Sequence, residues 1–340
     1  MKKLVHLKYI LLATIILFSC QHPTPKIKDD GEKAFNVPAQ LDSINKLIRT
    51  DSLNPDNYYY RSLYFLGQKD ANSALADINR SIQLDGNSSD YFEALAEIYL
   101  LEGRIPNCLE SLKKSEELDA KNNKTLLKLA EVYLILKDYQ NTFEYTKRAL
   151  DLDKMNPKAH FFRAYAYMEL GDSNLAIQNF QAAADQDQNY YEAYLELGAL
   201  YAAQGNSLAA GYLQTATMIQ PGREEAYYLL GMTYQDQENI PKAIETYEKL
   251  LSISPDFKEA YYNLGYINLV YLNEFEAAAG YFTKAIALDA KYTDAYFNRG
   301  YSYELMGDFV NARKDYQKAL ELVPNYERAI AGLNRLDNGN

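Results

Sequence analysis

The chain has 340 residues, 48% hydrophobic and 24% charged, so it can bury a large core or two ordinary domains and is a folded protein. Tyrosine occurs 32 times and tryptophan never, and the three histidines, His6, His22 and His160, leave most metal and acid–base chemistry without its usual side chain. The formal net charge of −11 repels phosphate backbones and argues against nucleic acid as a partner.

The chain opens MKKLVHLKYILLATIILFSCQHPTPK: three early lysines, an apolar run from Tyr9 to Phe18, then Leu17-Phe18-Ser19-Cys20. That order is the order of an export signal, and a run of ten residues is too short to span a bilayer comfortably. The LFSC ending resembles the lipobox of bacterial lipoproteins, with a small residue before Cys20 and a leucine three before it; Phe18 is bulkier than that family's usual choice. The resemblance implies that residues 1–19 are removed and that Cys20 carries lipid. Acyl chains contribute about 0.8 kcal/mol per buried CH₂, enough for several to hold the protein on a membrane. An ordinary cleaved signal with an incidental cysteine is the alternative. The lack of an acidic run after Cys20 resembles lipoproteins of the outer membrane that face the periplasm. Cleavage removes Lys2, Lys3 and Lys8, leaving 32 basic against 46 acidic residues and a formal charge of −14. Beyond Cys20 the one other cysteine is Cys108, so no disulfide pair exists in the mature chain and stability must come from packing.

Residues 20–38 hold Pro23, Pro25, Gly31 and Pro38 with little apolar content, the composition of a flexible tether. Residues 39–54 (AQLDSINKLIRTDSLN) place Leu41, Ile44, Leu47 and Ile48 on one side of a helix, the pattern of an N-terminal cap.

From Pro55 the sequence repeats. Units starting at Pro55, Ser89, Asn123, Pro157, Tyr191, Glu224, Lys258 and Thr293 have lengths of 34, 34, 34, 34, 33, 34, 35 and 34 residues. Unit position 8 is small throughout (Ser62, Ala96, Ala130, Ala164, Gly198, Gly231, Gly265, Gly300), and so is position 20 (Ala74, Cys108, Thr142, Ala176, Ala209, Ala243, Ala278, Ala312). Aromatics recur at positions 4 and 11, with Asn268 the exception at 11. Positions 4, 8 and 11 share one helical face, so each unit predicts a helical hairpin in which small residues let two backbones approach and the rings at 4 and 11 face the interior. Gly171, Gly205 and Gly307 suit the turn between the helices, and Pro106 and Pro241 fall where the second helix should begin.

EEAYYLLGMTYQDQENIPKAIETYEKLLSISPDF and TDAYFNRGYSYELMGDFVNARKDYQKALELVPNY resemble the tetratricopeptide repeat (TPR) nearly throughout, and the resemblance extends over residues 55–326. It implies an all-α fold, a right-handed superhelical solenoid of about eight TPR hairpins, with residues 327–340 as a solvating C-terminal cap. The family's closing proline is present as Pro221, Pro255 and Pro324 and replaced in the other five units.

Three units carry arginine at position 7 (Arg61, Arg163, Arg299) where most have leucine, and those three carry Asp77, Asn179 and Asp315 sixteen residues later. The other five carry Ser111, Tyr145, Leu213, Thr246 and Tyr281 there. This co-occurrence predicts a structural hydrogen-bonded pair between the two helices of a unit. Cys108 sits at the small position 20 and reads as a packing thiol; His160 takes an aromatic position. No Gly-rich phosphate loop, HExxH, GxSxG or metal-spaced cysteine pair occurs, so the expectation is a protein that is not an enzyme and has no cofactor or metal.

The resemblance also implies a concave groove lined by first helices, notably at positions 5 and 9. Tyr59, Phe161, Tyr165, Tyr228, Met232, Tyr262, Tyr266, Phe297 and Tyr301 occupy those positions and are the candidate partner-binding residues, accompanied by acids including Glu97, Glu131, Glu169, Asp236 and Glu304. Tyrosine offers a large rigid contact area with one polar tip, which suits capture of peptide or protein. Acids at position 2, such as Asp56 and Asp294, are explained by the helix dipole and need no partner. Two function classes follow: a membrane-anchored scaffold or adaptor for protein or peptide partners in the bacterial envelope, and alternatively a small-molecule or glycan-binding lipoprotein of nutrient uptake. The absence of tryptophan counts against glycan stacking.

Overall fold

The computed structural model describes residues 37–338, so the signal segment and Cys20 lie outside the described residues. Among these residues are eighteen α-helices, one π-helix and no strand. Helix α1 (Val37–Thr50) precedes eight hairpins. They are α2 (Pro55–Gly67) with α3 (Ala71–Leu84), α4 (Ser89–Leu101) with α5 (Ile105–Leu118), α6 (Asn123–Ile135) with α7 (Tyr139–Leu152), and α8 (Pro157–Glu169) with α9 (Ser173–Gln186). There follow α10 (Tyr191–Ala203) with α11 (Ala209–Ile219), α12 (Glu224–Asp236) with α13 (Ile240–Ile253), α14 (Lys258–Ile267) with α15 (Phe275–Leu288), and α16 (Thr293–Leu305) with α17 (Phe309–Leu322). Helix α18 (Glu327–Asn338) closes the chain. Two compact units divide it, Met1–Gln188 and Asn189–Asn340, with four hairpins in each. Within each unit a second helix packs on its own first helix and on the first helix of the next hairpin.

Local chemistry sets the helix ends. Asn54, Asn122 and Asn156 cap first helices by accepting from backbone amides one turn in, and Asp70, Asp138, Asp172 and Asp308 do the same for second helices. Pro106 and Pro241 sit in the first turn of α5 and α13, where no backbone donor is missed. Each turn inside a hairpin contains one left-handed residue: Gly103, Gly171, Gly205 and Gly307 in four, and Lys69, Lys137, Glu238 and Asn273 in the others. A β-carbon at such a φ costs about 1–2 kcal/mol, partly offset by the flexibility glycine brings to the unfolded chain. Glu238→Gly is therefore expected to raise stability by about 0.5–1 kcal/mol, read as a higher urea midpoint.

The core lies along positions 3, 8, 20, 24 and 27. Position 8 lets a large residue at 24 of the second helix lie directly on the first: a Cβ on Gly198 would meet Leu213 at 2.4 Å, one on Gly231 would meet Tyr247 at 2.5 Å, and one on Gly265 would meet Phe282 at 2.8 Å. All three side chains at position 24 are fully buried.

The rings at positions 4 and 11 lie elsewhere than their shared face with position 8 predicts. Apart from Tyr227 and Tyr234 they are half-buried, along the hairpin edge around position 23. There Tyr133 stacks on Tyr145 at 5.5 Å and Tyr201 on Tyr212 at 5.4 Å. The one-residue deletion in the fifth unit thus puts Tyr212, not Leu213, at the edge; Leu213 belongs to the core. The extra residue of the seventh unit is absorbed as a π-helix, Asn268–Leu272. Asn268 satisfies the widened turn by donating from its side-chain amide to the Leu264 carbonyl at 2.8 Å, and Leu269 is buried in the local core.

Two of the three arginine pairs have fork geometry. Arg61 donates from Nε and Nη2 to the two Asp77 oxygens at 2.6 and 2.7 Å, and Arg299 to those of Asp315 at 2.7 and 2.8 Å. The pair expected between Arg163 and Asn179 does not form. An amide has a single acceptor oxygen to offer the guanidinium, and Asn179 turns its NH₂ onto the Leu175 carbonyl at 2.8 Å, leaving Arg163 Nε buried without a hydrogen-bond partner among the described residues.

Candidate functional site

In the unit Asn189–Asn340, position 5 of the last three first helices is Tyr228, Tyr262 and Phe297. Each of these rings meets an aromatic at the end of its own repeat: Tyr228 meets Phe257 at 5.1 Å, Tyr262 stacks on Tyr292 at 5.0 Å, and Phe297 meets Tyr326 at 5.8 Å. Phe257 and Tyr292 occupy the N-cap positions of α14 and α16, and neither provides a side-chain cap. In the unit Met1–Gln188 the corresponding positions before α6 and α8 are the capping Asn122 and Asn156. A cap is worth about 1 kcal/mol and an aromatic pair about 0.5–1.5 kcal/mol beyond its buried area, so the exchange costs little and creates a continuous aromatic face. Sequence reasoning missed these unit-final rings, although Tyr190, Phe257, Tyr292 and Tyr326 recur at the repeat spacing.

Polar contacts fix the rings. Asn298 donates its side-chain amide to the Tyr262 hydroxyl at 2.9 Å, and Asn263 donates to the Tyr247 hydroxyl at 3.0 Å. Tyr326 donates its hydroxyl to Asp294. Burial pushes the Tyr262 phenol up to about 12, with the Asp294 charge adding to the shift. Tyr228 is raised in the same direction by burial and by Glu259. These phenols stay neutral, so they offer contact area, ring faces and hydrogen bonds.

Of the nine candidate contact residues, Tyr59, Tyr228, Met232, Tyr262, Tyr266 and Tyr301 are half-buried. Tyr266 lies beside Tyr271, and Tyr301 stacks on Phe297 at 6.3 Å. Phe161, Tyr165 and Phe297 are 4%, 2% and 6% exposed and are corrected to core residues. The contacts that cover them are specific: Phe161 and Tyr165 both pack on Phe180, at 5.5 and 5.3 Å, and on each other at 4.9 Å, and Phe297 packs on Tyr316 at 5.6 Å with the Arg328 guanidinium 4.2 Å from its centroid.

The expected row of acids is also largely occupied. Lys128 lies 2.7 Å from Glu97 and 3.2 Å from Glu131. Burial works against the charge of that lysine, but the two carboxylates outweigh it and hold its pKa above the ordinary value. Arg335 forks onto Glu304 at 2.7 and 2.9 Å, and Lys137 lies 3.4 Å from Glu169. At position 2, Asp56 accepts the Tyr91 hydroxyl and Asp294 that of Tyr326, so these two acids do more than face a helix dipole.

Cys108 is buried, and burial pushes its thiol up to about 12, the state of a packing residue. Among the described residues no group of three or more His, Cys, Asp or Glu could hold a metal ion, and no helix is long and apolar enough to cross a membrane.

Comparison with known proteins gives a consistent family. Among curated relatives, the mouse (Mus musculus) protein O-mannosyl-transferase TMTC1 is 29% identical over 43% of this chain and 16% of its own length. The human (Homo sapiens) mitochondrial import receptor subunit TOM70 is 28% identical over 30% of this chain and 16% of its own. The chain thus spans about one sixth of the length of these relatives. Among solved structures, the C-terminal part of a TPR repeat-containing protein from Cytophaga hutchinsonii superposes with a TM-score of 0.61 at 23% identity, covering 70% of this chain and 98% of that one. Models described as tetratricopeptide repeat match residues 127–190, 161–223, 258–292 and 293–326, and one described as TPR repeat matches 233–270. These matches together span more than half of the sequence, and the chain belongs to the tetratricopeptide-repeat family.

Proposed function

We propose that this protein is a scaffold or adaptor that binds protein or peptide partners in the bacterial envelope, anchored through lipid on Cys20 at the periplasmic face of the outer membrane. The observation that carries the binding role is the half-buried face of Tyr228, Met232, Tyr262, Tyr266 and Tyr301 on the first helices of residues 189–340. Rigid rings lose little rotamer entropy on contact and fill the pockets from which interface energy comes. Crosslinking in intact cells followed by mass spectrometry tests it: a reproducible protein partner is expected, lost in the Tyr262→Ala, Tyr266→Ala double variant. Thermal stabilisation by an oligosaccharide with no protein captured contradicts it and supports the glycan-binding alternative.

The anchor is supported by the charge, apolar run and LFSC of residues 1–20. Labelling with a palmitate analogue is expected to mark the wild-type protein and to fail on Cys20→Ala, which should also leave the membrane fraction. A Cys20→Ala protein that stays equally membrane-bound sinks the anchor reading.

A further inference from the structure

The aromatic face of the unit Asn189–Asn340 already holds cations of its own chain. The Arg328 guanidinium lies 4.2 Å from the centroid of the Phe297 ring and 3.7 Å from Asp294. Arg223 lies 4.9 Å from the Tyr191 ring while forking onto Glu225 at 3.1 and 3.0 Å. Lys258 lies 5.5 Å from the Tyr292 ring, held by Asp289 at 2.6 Å. In each case a ring face and a carboxylate share one cation, so two attractions act on the same charge.

Arg328 is the second residue of α18, and it covers the position-5 ring of the preceding hairpin. One and two hairpins earlier, the second residues of α16 and α14 are Asp294 and Glu259. Tyr262 and Tyr228 therefore face carboxylates where Phe297 faces an arginine. Glu259 and Asp294 keep 39% and 50% of their side chains exposed. Among the described residues the one cation paired with Glu259 is Lys258, at 3.9 Å, and Asp294 holds the Tyr326 hydroxyl and Arg328. Tyr262 stacks on Tyr292 at 5.0 Å, and the Tyr292 phenol is pushed up by burial first, with the Tyr262 phenol and the Glu259 and Asp294 charges adding to the shift. The whole unit has 20 acidic and 12 basic residues, so its field favours a cationic partner.

We propose that the face formed by Tyr228 and Tyr262 with Glu259 and Asp294 takes lysine or arginine side chains of a basic peptide segment, each seated on a ring as Arg328 is seated on Phe297. This names the partner chemistry of the adaptor surface and rests on that reading. The rings supply contact area and the carboxylates select charge, so both are needed.

The test uses the full chain and two short fluorescein-labelled peptides, one alternating arginine with alanine and one with citrulline in place of arginine, read by anisotropy. The arginine peptide is expected to bind at least about tenfold more tightly. Glu259→Gln with Asp294→Asn should weaken it about tenfold, and Tyr262→Leu about fivefold, while Tyr262→Phe keeps the ring and the affinity. Glu245→Gln with Glu248→Gln, exposed on α13, removes the same charge and should change binding less than about twofold. Equal binding of the citrulline peptide, or an equal loss in the α13 variant, overturns the proposal. If crosslinking captures a partner whose contacting segment has no lysine or arginine, basic selectivity falls and the adaptor reading stands. If neither peptide binds and no partner is captured, both fall.

Discussion

Asp315→Ala is expected to lower the unfolding free energy by about 3–5 kcal/mol, because it strands a charge that the fold has taken out of water. The Asp315 side chain is 5% exposed and that of Arg299 is 17% exposed. The carboxylate takes both arms of the fork; without it the guanidinium keeps only Thr283 Oγ1 at 3.1 Å and the Tyr296 ring at 5.4 Å. The chain contains its own remedy, since another hairpin fills the same two positions with Leu95 and Ser111. Arg299→Leu with Asp315→Ser should therefore recover most of the loss, as replacing a buried ion pair by packed neutral groups often does. Chemical denaturation followed by circular dichroism gives the numbers. An unshifted transition in Asp315→Ala would show that the pair carries no buried charge.

Tyr247→Ala is expected to cost about 3–5 kcal/mol, since it empties the space that Gly231 leaves on α12. The ring is fully buried, and it accepts the Asn263 hydrogen bond that links the core to the aromatic face. Gly231→Ala approaches the same contact from the other side. Its Cβ would lie 2.5, 2.8 and 2.9 Å from three ring carbons, and overpacking of that kind costs about 1–3 kcal/mol, offset by about 1 kcal/mol of helix propensity. The hairpin of α4 and α5 uses Ala96 with Leu112 at these positions. Gly231→Ala combined with Tyr247→Leu should thus be less destabilised than the sum of the single changes, a coupling that a double-mutant cycle measures directly. Strict additivity would mean that positions 8 and 24 do not share one packing contact.

These couplings also explain what the sequence made legible. Small residues at 8 and 20 recur in every unit, and the first helices begin at Pro55, Ser89, Asn123, Pro157, Tyr191, Glu224, Lys258 and Thr293, the starts of the sequence units. The arginine forks at 61/77 and 299/315 were readable because repeats within one chain show which residues vary together. Direction was harder. At position 5 exposure follows the ring's own chemistry: the phenyl rings of Phe161 and Phe297 are buried, whereas Tyr228 and Tyr262, which carry a polar hydroxyl, remain half-buried over Tyr247 and Phe282. A pattern that counts every aromatic alike does not separate the two. The unit-final row of Phe257, Tyr292 and Tyr326 escaped notice for a related reason: helix-capping rules predict asparagine, serine or aspartate there, and tertiary ring packing overrides them. The π-helix at Asn268–Leu272 shows how one inserted residue is absorbed without shifting the core register after it.

Placement of a photo-crosslinking amino acid at Tyr266 and Tyr301, with Tyr60 of the other unit as the control, tests the adaptor surface most directly in living cells. Tyr60 is 43% exposed and thus just as available to a random encounter. A discrete protein adduct is predicted from positions 266 and 301 and not from 60. Adducts that are absent at 266 and 301, or equally strong at all three, would contradict a protein-binding face on the first helices of residues 189–340.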